Sequence, residues 1–157
     1  MTRSIRKRRL QRKTDYKARL GLLKSETPRL VIRKTNRYLI AQIVKTDIAK
    51  DKVVTGVNSK QLIGLGWPKE SRGSLKSLPA AYLTGLLIGR ASESKKIKKE
   101  ILDIGMYRNV HKSRIYAVLK GALDAGLEVS HDKEALPSME EIKKNKKVAQ
   151  LMEKLNK

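Results

Sequence analysis

Apolar residues gather in four windows, 28–46, 78–92, 101–107 and 114–129, and the spacing within each predicts the element it forms. Arg29 to Arg33 and Tyr38 to Val44 read as strands, joined across Lys34-Thr35-Asn36-Arg37 as a hairpin in which Asn36 can take the left-handed turn conformation. Leu30 and Ile32 then point to one face and Arg29, Val31 and Arg33 to the other, so that a core face is backed by one offering guanidinium groups. A third strand, Lys52 to Val57, follows the polar turn Ile48-Ala49-Lys50-Asp51. Gly64, Gly66, Pro68 and Gly73 beyond it mark an irregular loop around Trp67.

Pro79 suits a first helical position, and a helix to about Ser92 sets Leu83, Leu86, Leu87 and Arg90 at helical spacing. Ala81, Gly85 and Gly89 recur every four residues, a row of small groups that lets a sheet or a second helix approach closely. Ile101 to Tyr107 reads as a buried strand. Ser113 caps a further helix, striped by Ile115, Val118, Leu119 and Ala122 and stopped by Gly126. Strand, helix, strand, helix implies parallel pairing after an antiparallel start. The expectation is an α/β fold: a mixed sheet starting with antiparallel strands, helices packed on it, a basic N-terminal arm and a C-terminal helical tail.

The flanks differ from this body. Arg3 to Lys24 holds ten Lys/Arg against the single acid Asp15, with Thr14-Asp15 as cap and first-turn acid of a short helix that has Tyr16, Leu20 and Leu23 on one side and is ended by Pro28. The tail begins with the capping-box spacing Ser138…Glu141. It continues into a Lys-rich helix whose thin seam, Val148, Leu151, Met152 and Leu155, docks on RNA or on a neighbour. The division is 1–24 for arm and short helix, 25–130 for the core, and 131–157 for linker and C-terminal helix.

Composition narrows the function. A net charge of +22 on 157 residues needs an anion against it: nucleic acid, an anionic membrane or an acidic protein. Nucleic acid is favoured, because the basic residues alternate with turn and strand residues instead of lining one amphipathic face. Cysteine is absent and only His111 and His131 are present, so thiolate and ordinary zinc sites are excluded and neither cofactor nor metal is expected. The longest apolar run, Tyr82 to Ile88, contains Thr84 and Gly85 and is far short of the ~20 residues of a membrane span. A basic N-terminus without an apolar segment is not a secretory signal, which leaves the cytoplasm.

Several runs carry a family resemblance: Pro79-Ala-Ala-Tyr-Leu-Thr-Gly-Leu-Leu87, Ile101-Leu-Asp-Ile-Gly105, Leu119-Lys-Gly-Ala-Leu-Asp-Ala-Gly-Leu-Glu128, Thr14-Asp-Tyr-Lys-Ala-Arg19, Arg29-Leu-Val-Ile-Arg-Lys-Thr-Asn36 and Ala41-Gln-Ile43. Together, over about residues 3 to 137, they resemble the family of large-subunit ribosomal protein eighteen in its archaeal form, whose eukaryotic counterpart is large-subunit protein five. The resemblance implies a structural protein without catalysis. Such a protein binds 5S rRNA, helps attach it to the large-subunit rRNA in the central protuberance, and touches neighbouring large-subunit ribosomal proteins but no membrane. By position, it lays the RNA contacts on the arm, Arg3, Arg6, Lys7, Arg8, Arg9, Arg12 and Lys13; on the hairpin, Arg33, Lys34, Thr35, Asn36, Arg37 and Tyr38; and on the loop before the last core helix, Arg108, Lys112, Ser113 and Arg114.

The residues can also be read singly. Arginine forks onto two phosphate oxygens and lysine offers a mobile point charge, so the mixed arm can follow an irregular RNA backbone. Thr35 and Asn36 suit sugar or base edges as well as turn formation, and Tyr38 either stacks on an unpaired base or packs as a strand residue. Trp67 reads as a loop anchor packed on the core, Lys143 to Lys147 as the wet face of a helix, and His111 as a weak candidate for phosphate. Ser113 would leave the N–H groups of 114 to 116 facing an anion. Asp103 invites comparison with a metal-dependent nuclease, yet only Asp124 and Glu128 accompany it in the last two windows, on or just past a different element, so it reads as structural. An RNA-processing hydrolase and a general nucleic-acid compactor are the rival functions.

Overall fold

The fold is described from a computed structural model, which places residues 7–11, 13–47, 50–68 and 73–143. A five-stranded sheet runs in the order β3-β2-β1-β4-β5, with β1 Arg29–Lys34, β2 Leu39–Asp47, β3 Lys50–Asn58, β4 Lys99–Asp103 and β5 Glu128–Val129. The first three strands pair antiparallel; β4 then joins β1 in parallel, Leu30 opposite Leu102, and β5 joins β4 in parallel. This is the mixed α/β sheet with an antiparallel start. Among the described residues five α-helices accompany it: α1 Lys7–Leu10, α2 Tyr16–Lys24, α3 Leu78–Glu93, α4 Arg114–Asp124 and α5 Met139–Lys143.

Leu30, Ile32, Leu39, Ala41 and Ile43 meet the apolar stripes of α3 and α4 in the main core. A second cluster gathers Leu62, Trp67, Leu75, Tyr82 and Leu86 with Ile142 of α5, so the single tryptophan anchors its loop in the core. Past residue 130 the chain folds back on this body. The Lys112 N–H donates to the Ala135 carbonyl at 2.8 Å, the Lys120 ammonium to the Pro137 carbonyl at 2.7 Å, and the Ser138–Glu141 capping box closes at both of its bonds. The seam Val148 to Leu155 lies outside the described residues.

Helices α3 and α4 cross with almost nothing between them. A Cβ on Gly85 would stand 2.0 Å from the Val118 carbonyl oxygen, and one on Gly121 the same distance from that of Tyr82. The close partner of the small-residue row is thus a helix, and Gly121 answers it from the other side. Helix α4 ends in a Schellman motif: the Gly126 N–H donates to the Leu123 carbonyl and the Leu127 N–H to that of Ala122, with Gly126 at φ +92°.

Local expectations shift at several edges. The second strand runs to Asp47, and the third begins at Lys50, inside the stretch expected to turn. Strand β4 stops at Asp103, short of Tyr107, because the Asp103 carboxylate accepts the Gly105 N–H at 2.9 Å and Gly105 turns at φ +64°. Asp15 is itself the cap of α2, accepting from the N–H groups of Lys17 and Ala18. That helix turns Tyr16, Arg19, Leu22 and Leu23 inward instead of Leu20, which stays 57% exposed, since Arg19 is tied to Asp51 at 2.8 Å. Asn36 does not take a positive φ. The loop spans residues 35 to 38 between the paired Lys34 and Leu39, a length that most often closes on a type I turn with no left-handed residue.

Glu100 on β4 is 2% exposed, and neither carboxylate oxygen has a hydrogen-bond partner among the described residues. Burial pushes its pKa from 4.5 to about 7. Between these values the folded chain binds more protons than the unfolded one, so the carboxyl's contribution to stability declines as pH rises from about 4.5 to about 7 and is level above. Glu100→Gln should remove this decline: its advantage over the parent chain in urea midpoint should be larger at about pH 8 than at about pH 5. Gly121→Ala should cost upwards of ~2 kcal/mol, because a backbone carbonyl would have to move. Gly21→Ala, mid-helix in α2 with open space around its Cβ, should instead gain roughly 0.5–1 kcal/mol; melting temperatures of the two variants check both signs.

Candidate nucleic-acid interface

On the face of β1 opposite the core, one of the two guanidinium groups is withdrawn from solvent and the other is tied to a carboxylate. Arg29 is 3% exposed and donates to Asp103 at 2.7 Å, to Asp51 at 2.9 Å and to the Thr46 hydroxyl at 3.1 Å. Arg33 donates to the Asp103 carboxylate at 2.9 Å and to the carbonyls of Ile32 and Asp103, packed over Gly105. The expectation of a free arginine platform is therefore corrected. One carboxylate, Asp103, sits between two arginines across the β1–β4 pairing: Arg29 is an internal brace, while Arg33, tied to the same carboxylate, keeps 37% of its side chain exposed. Burial pushes the Asp51 carboxyl up, but hydrogen bonds from Thr46, Arg19 and Arg29 and the Arg29 charge together hold it below its ordinary value. Asp103 is structural, as its isolation in sequence implied. Among the described residues no group of three or more His, Cys, Asp or Glu stands ready to hold a metal ion, and no helix is long and apolar enough to cross a membrane.

Cations without acidic partners lie elsewhere. Lys34 at the end of β1 and Arg108, Lys112 and Arg114 around the start of α4 border one open cleft of about 570 Å³. Among the described residues none of the four makes an ion pair. The hairpin loop beside it is held by Thr35, whose N–H and hydroxyl donate to the Tyr38 carbonyl and whose hydroxyl accepts the Tyr38 N–H, all at 2.9 Å; this leaves Asn36 and Arg37 exposed at the tip. Tyr38 itself is half-buried against the second core cluster, the packing side of its two roles.

Ser113 occupies the N-cap of α4 with no side-chain cap bond, and the first intrahelical bond runs from the Ala117 N–H to its carbonyl. The N–H groups of 114 to 116 are thus unclaimed by the helix and carry the positive end of its dipole. Lys112 sits at φ +55°, which a hydrogen bond to Ala135 holds in place. His111 is exposed, its ring edge-on to Tyr116. Of the arm, Arg3, Arg6 and Arg12 lie outside the described residues, α1 contains Lys7 and Arg9, and Arg8 and Lys13 are exposed.

Lys34, Arg108, Lys112, Ser113 and Arg114 are therefore brought together, while Arg33 is ion-paired to Asp103 with its side chain 37% exposed. Sequence reasoning missed the cleft's apolar lining: Leu78, Tyr107, Val110 and Ile115. Tyr107 was readable as an aromatic next to Arg108, but the apolar spacing of 101–107 drew it into a strand. Its hydroxyl in fact donates to the Lys34 carbonyl, and the Lys34 ammonium lies 5.5 Å from the ring centroid.

A basic mixed-sheet α/β body with an unpaired cation set around a helix start defines a class of polyanion-binding module. Comparison with known proteins makes the class specific. The model of the family described as "Ribosomal large subunit proteins 60S L5, and 50S L18" matches residues 2–101 and 89–132. The chain is similar to the large ribosomal subunit protein uL18 of Korarchaeum cryptofilum, 44% identical over 149 residues that make up 95% of this chain and 74% of the relative. It is similar to uL18 of Methanoculleus marisnigri, 43% identical over 137 residues, 87% of this chain and 76% of the relative, and to that of Caldivirga maquilingensis, 45% identical over 133 residues, 84% and 62% respectively. The chain belongs to this family of ribosomal large-subunit proteins, and with it to the large subunit in the cytoplasm.

Because Asp103 is 6% exposed and holds a guanidinium that is 3% exposed, Asp103→Ala should destabilise the chain by ~3 kcal/mol, leaving buried Arg29 with Asp51 and Thr46 as its remaining partners. Chemical denaturation reads the loss directly; a variant as stable as the parent would mean that the pair carries no structural weight.

Proposed function

We propose that this chain binds 5S rRNA and helps attach it to the large rRNA in the central protuberance, acting by binding alone. The observation that carries the reading is the sorting of its charge: with +22 overall, the arginines on the sheet face are neutralised by Asp103 and Asp51, while Lys34, Arg108, Lys112 and Arg114 stay unpaired around one cleft. Phosphates neutralised there and along the arm position the protein, and the hairpin tip and cleft meet the folded shape of the RNA. Of the arm, Arg3, Arg6, Lys7, Arg8, Arg9, Arg12 and Lys13 supply charge; Lys34 to Tyr38 and Arg108 to Arg114 supply a fixed array. Arg33 holds the β1–β4 junction through Asp103 and, with its side chain 37% exposed, adds to the charge facing the RNA. Neighbouring large-subunit proteins complete the surroundings.

The hydrolase reading loses its support, since Asp103 is engaged by two arginines and is not free to hold a catalytic metal. The compactor reading is separated by competition. Labelled 5S rRNA bound to the full chain should survive an excess of unrelated transcript, and its affinity should fall by ~10³ or more between roughly 50 and 200 mM salt if on the order of six to ten phosphates are neutralised. Lys34→Ala, Arg108→Ala and Arg114→Ala should each lower the salt slope by about 1. Equal affinity for 5S and for arbitrary RNA would defeat the proposal.

A further inference from the structure

We infer that the cleft between the end of β1 and the start of α4 receives one unpaired nucleotide of the bound RNA, with its base inside against Tyr107 and its phosphate among the cations at the rim. This rests on the reading of the chain as an rRNA-binding protein and adds how one segment of that RNA is held.

A surface that touched only the phosphates of a duplex would need projecting cations and no interior. Here about 570 Å³ of open space, within the roughly 300–1,000 Å³ range of small-molecule sites, is walled by Leu78, Val110, Ile115 and the Tyr107 ring. Val110 is 54% exposed on a cleft bordered by four cations, a placement that gains nothing for the folded chain alone. An apolar interior with a cationic rim is complementary to a molecule with a flat π-face at one end and a negative charge at the other. An unstacked nucleotide is such a molecule, and splaying one out is how structured RNA is commonly read.

The details accommodate it. Tyr107 is pinned by its hydroxyl to the Lys34 carbonyl, so its ring is a fixed wall. The Lys34 ammonium lies over that ring at 5.5 Å, where a stacked base would lie, and its flexible stem lets it swing to the incoming phosphate. Ser113, half-buried on the lining, makes no side-chain cap bond, which frees its hydroxyl for a base edge. Arg108 and Arg114 flank the mouth and can fork onto phosphate oxygens.

The test uses the full chain bound to a 5S rRNA transcript. Zero-length ultraviolet crosslinking, nuclease trimming and mass spectrometry should find a nucleotide adduct on the peptide carrying Tyr107 to Ile115. Val110→Trp fills the cleft from an exposed position without entering the core; it should weaken binding about tenfold, within the range of one lost base stack, with the salt slope unchanged. Adducts confined to the arm or hairpin tip, or a Val110→Trp chain that binds like the parent, would overturn the inference while preference for 5S over unrelated RNA left the broader reading standing. Loss of that preference with a cleft adduct still present would fail the broader reading alone.

Discussion

The architecture depends on how closely two helices can approach. Gly85 on α3 meets the backbone of Val118, and Gly121 on α4 meets that of Tyr82, so the helices touch main chain to main chain. Each glycine sacrifices ~1 kcal/mol of helix propensity, and the return is dispersion contact along the crossing plus room for both helices on one face of a sheet. The consequence reaches the functional surface. Helix α4 is held by α3 at its middle and by its apolar stripe on the sheet, so the position of its first turn relative to the end of β1 is not free to vary. The cleft is the gap those two fixed ends leave.

On the opposite face, charge does the work that apolar packing does on this one. Asp103 accepts from Arg29 and Arg33, and Asp51 accepts from Arg29 and Arg19, so two carboxylates link α2, β1, β3 and β4. Buried pairs of this kind add little net stability over apolar residues of the same size, but they discriminate strongly against any register that leaves a charge alone. In a chain with 37 basic and 15 acidic residues, that discrimination has a second effect. It decides which cations stay inside the fold and which remain available to a polyanion. Net charge alone makes no such distinction.

Much of this was legible in the chain. Alternation at Leu30 and Ile32, the small-residue row Ala81-Gly85-Gly89, the stop at Gly126 and the Ser138…Glu141 box all encode local geometry, and each has its expected role. What was not legible depends on partners distant in sequence. Arg29 and Arg33 alternate as outward residues should; only the parallel pairing of β4 brings Asp103 to them. Leu20 lies on the apolar side of its helix, but Arg19 reaching Asp51 decides how that helix turns. The two-residue strand β5 is too short for periodicity to reveal. Tyr107 belongs to a strand by composition and to a loop by the turn at Gly105.

The cleft also differs in kind from the arm, and that difference bears on how the two halves of the basic surface divide their work. The loop from Ile104 to Ser113 is fastened at three points: Tyr107 to the Lys34 carbonyl, the Tyr116 hydroxyl to Asn109, and the Lys112 N–H to Ala135. In the binding proposed above, its cations would meet RNA with little ordering left to do, which favours shape-selective contact because the cost of fixing the loop was met when the chain folded. An arm rich in arginine and lysine would contribute to the same proposed binding through charge, at longer range and with less dependence on sequence or shape. Discrimination between one folded RNA and another would then fall to the fastened part, since only a surface that resists rearrangement can penalise the wrong shape.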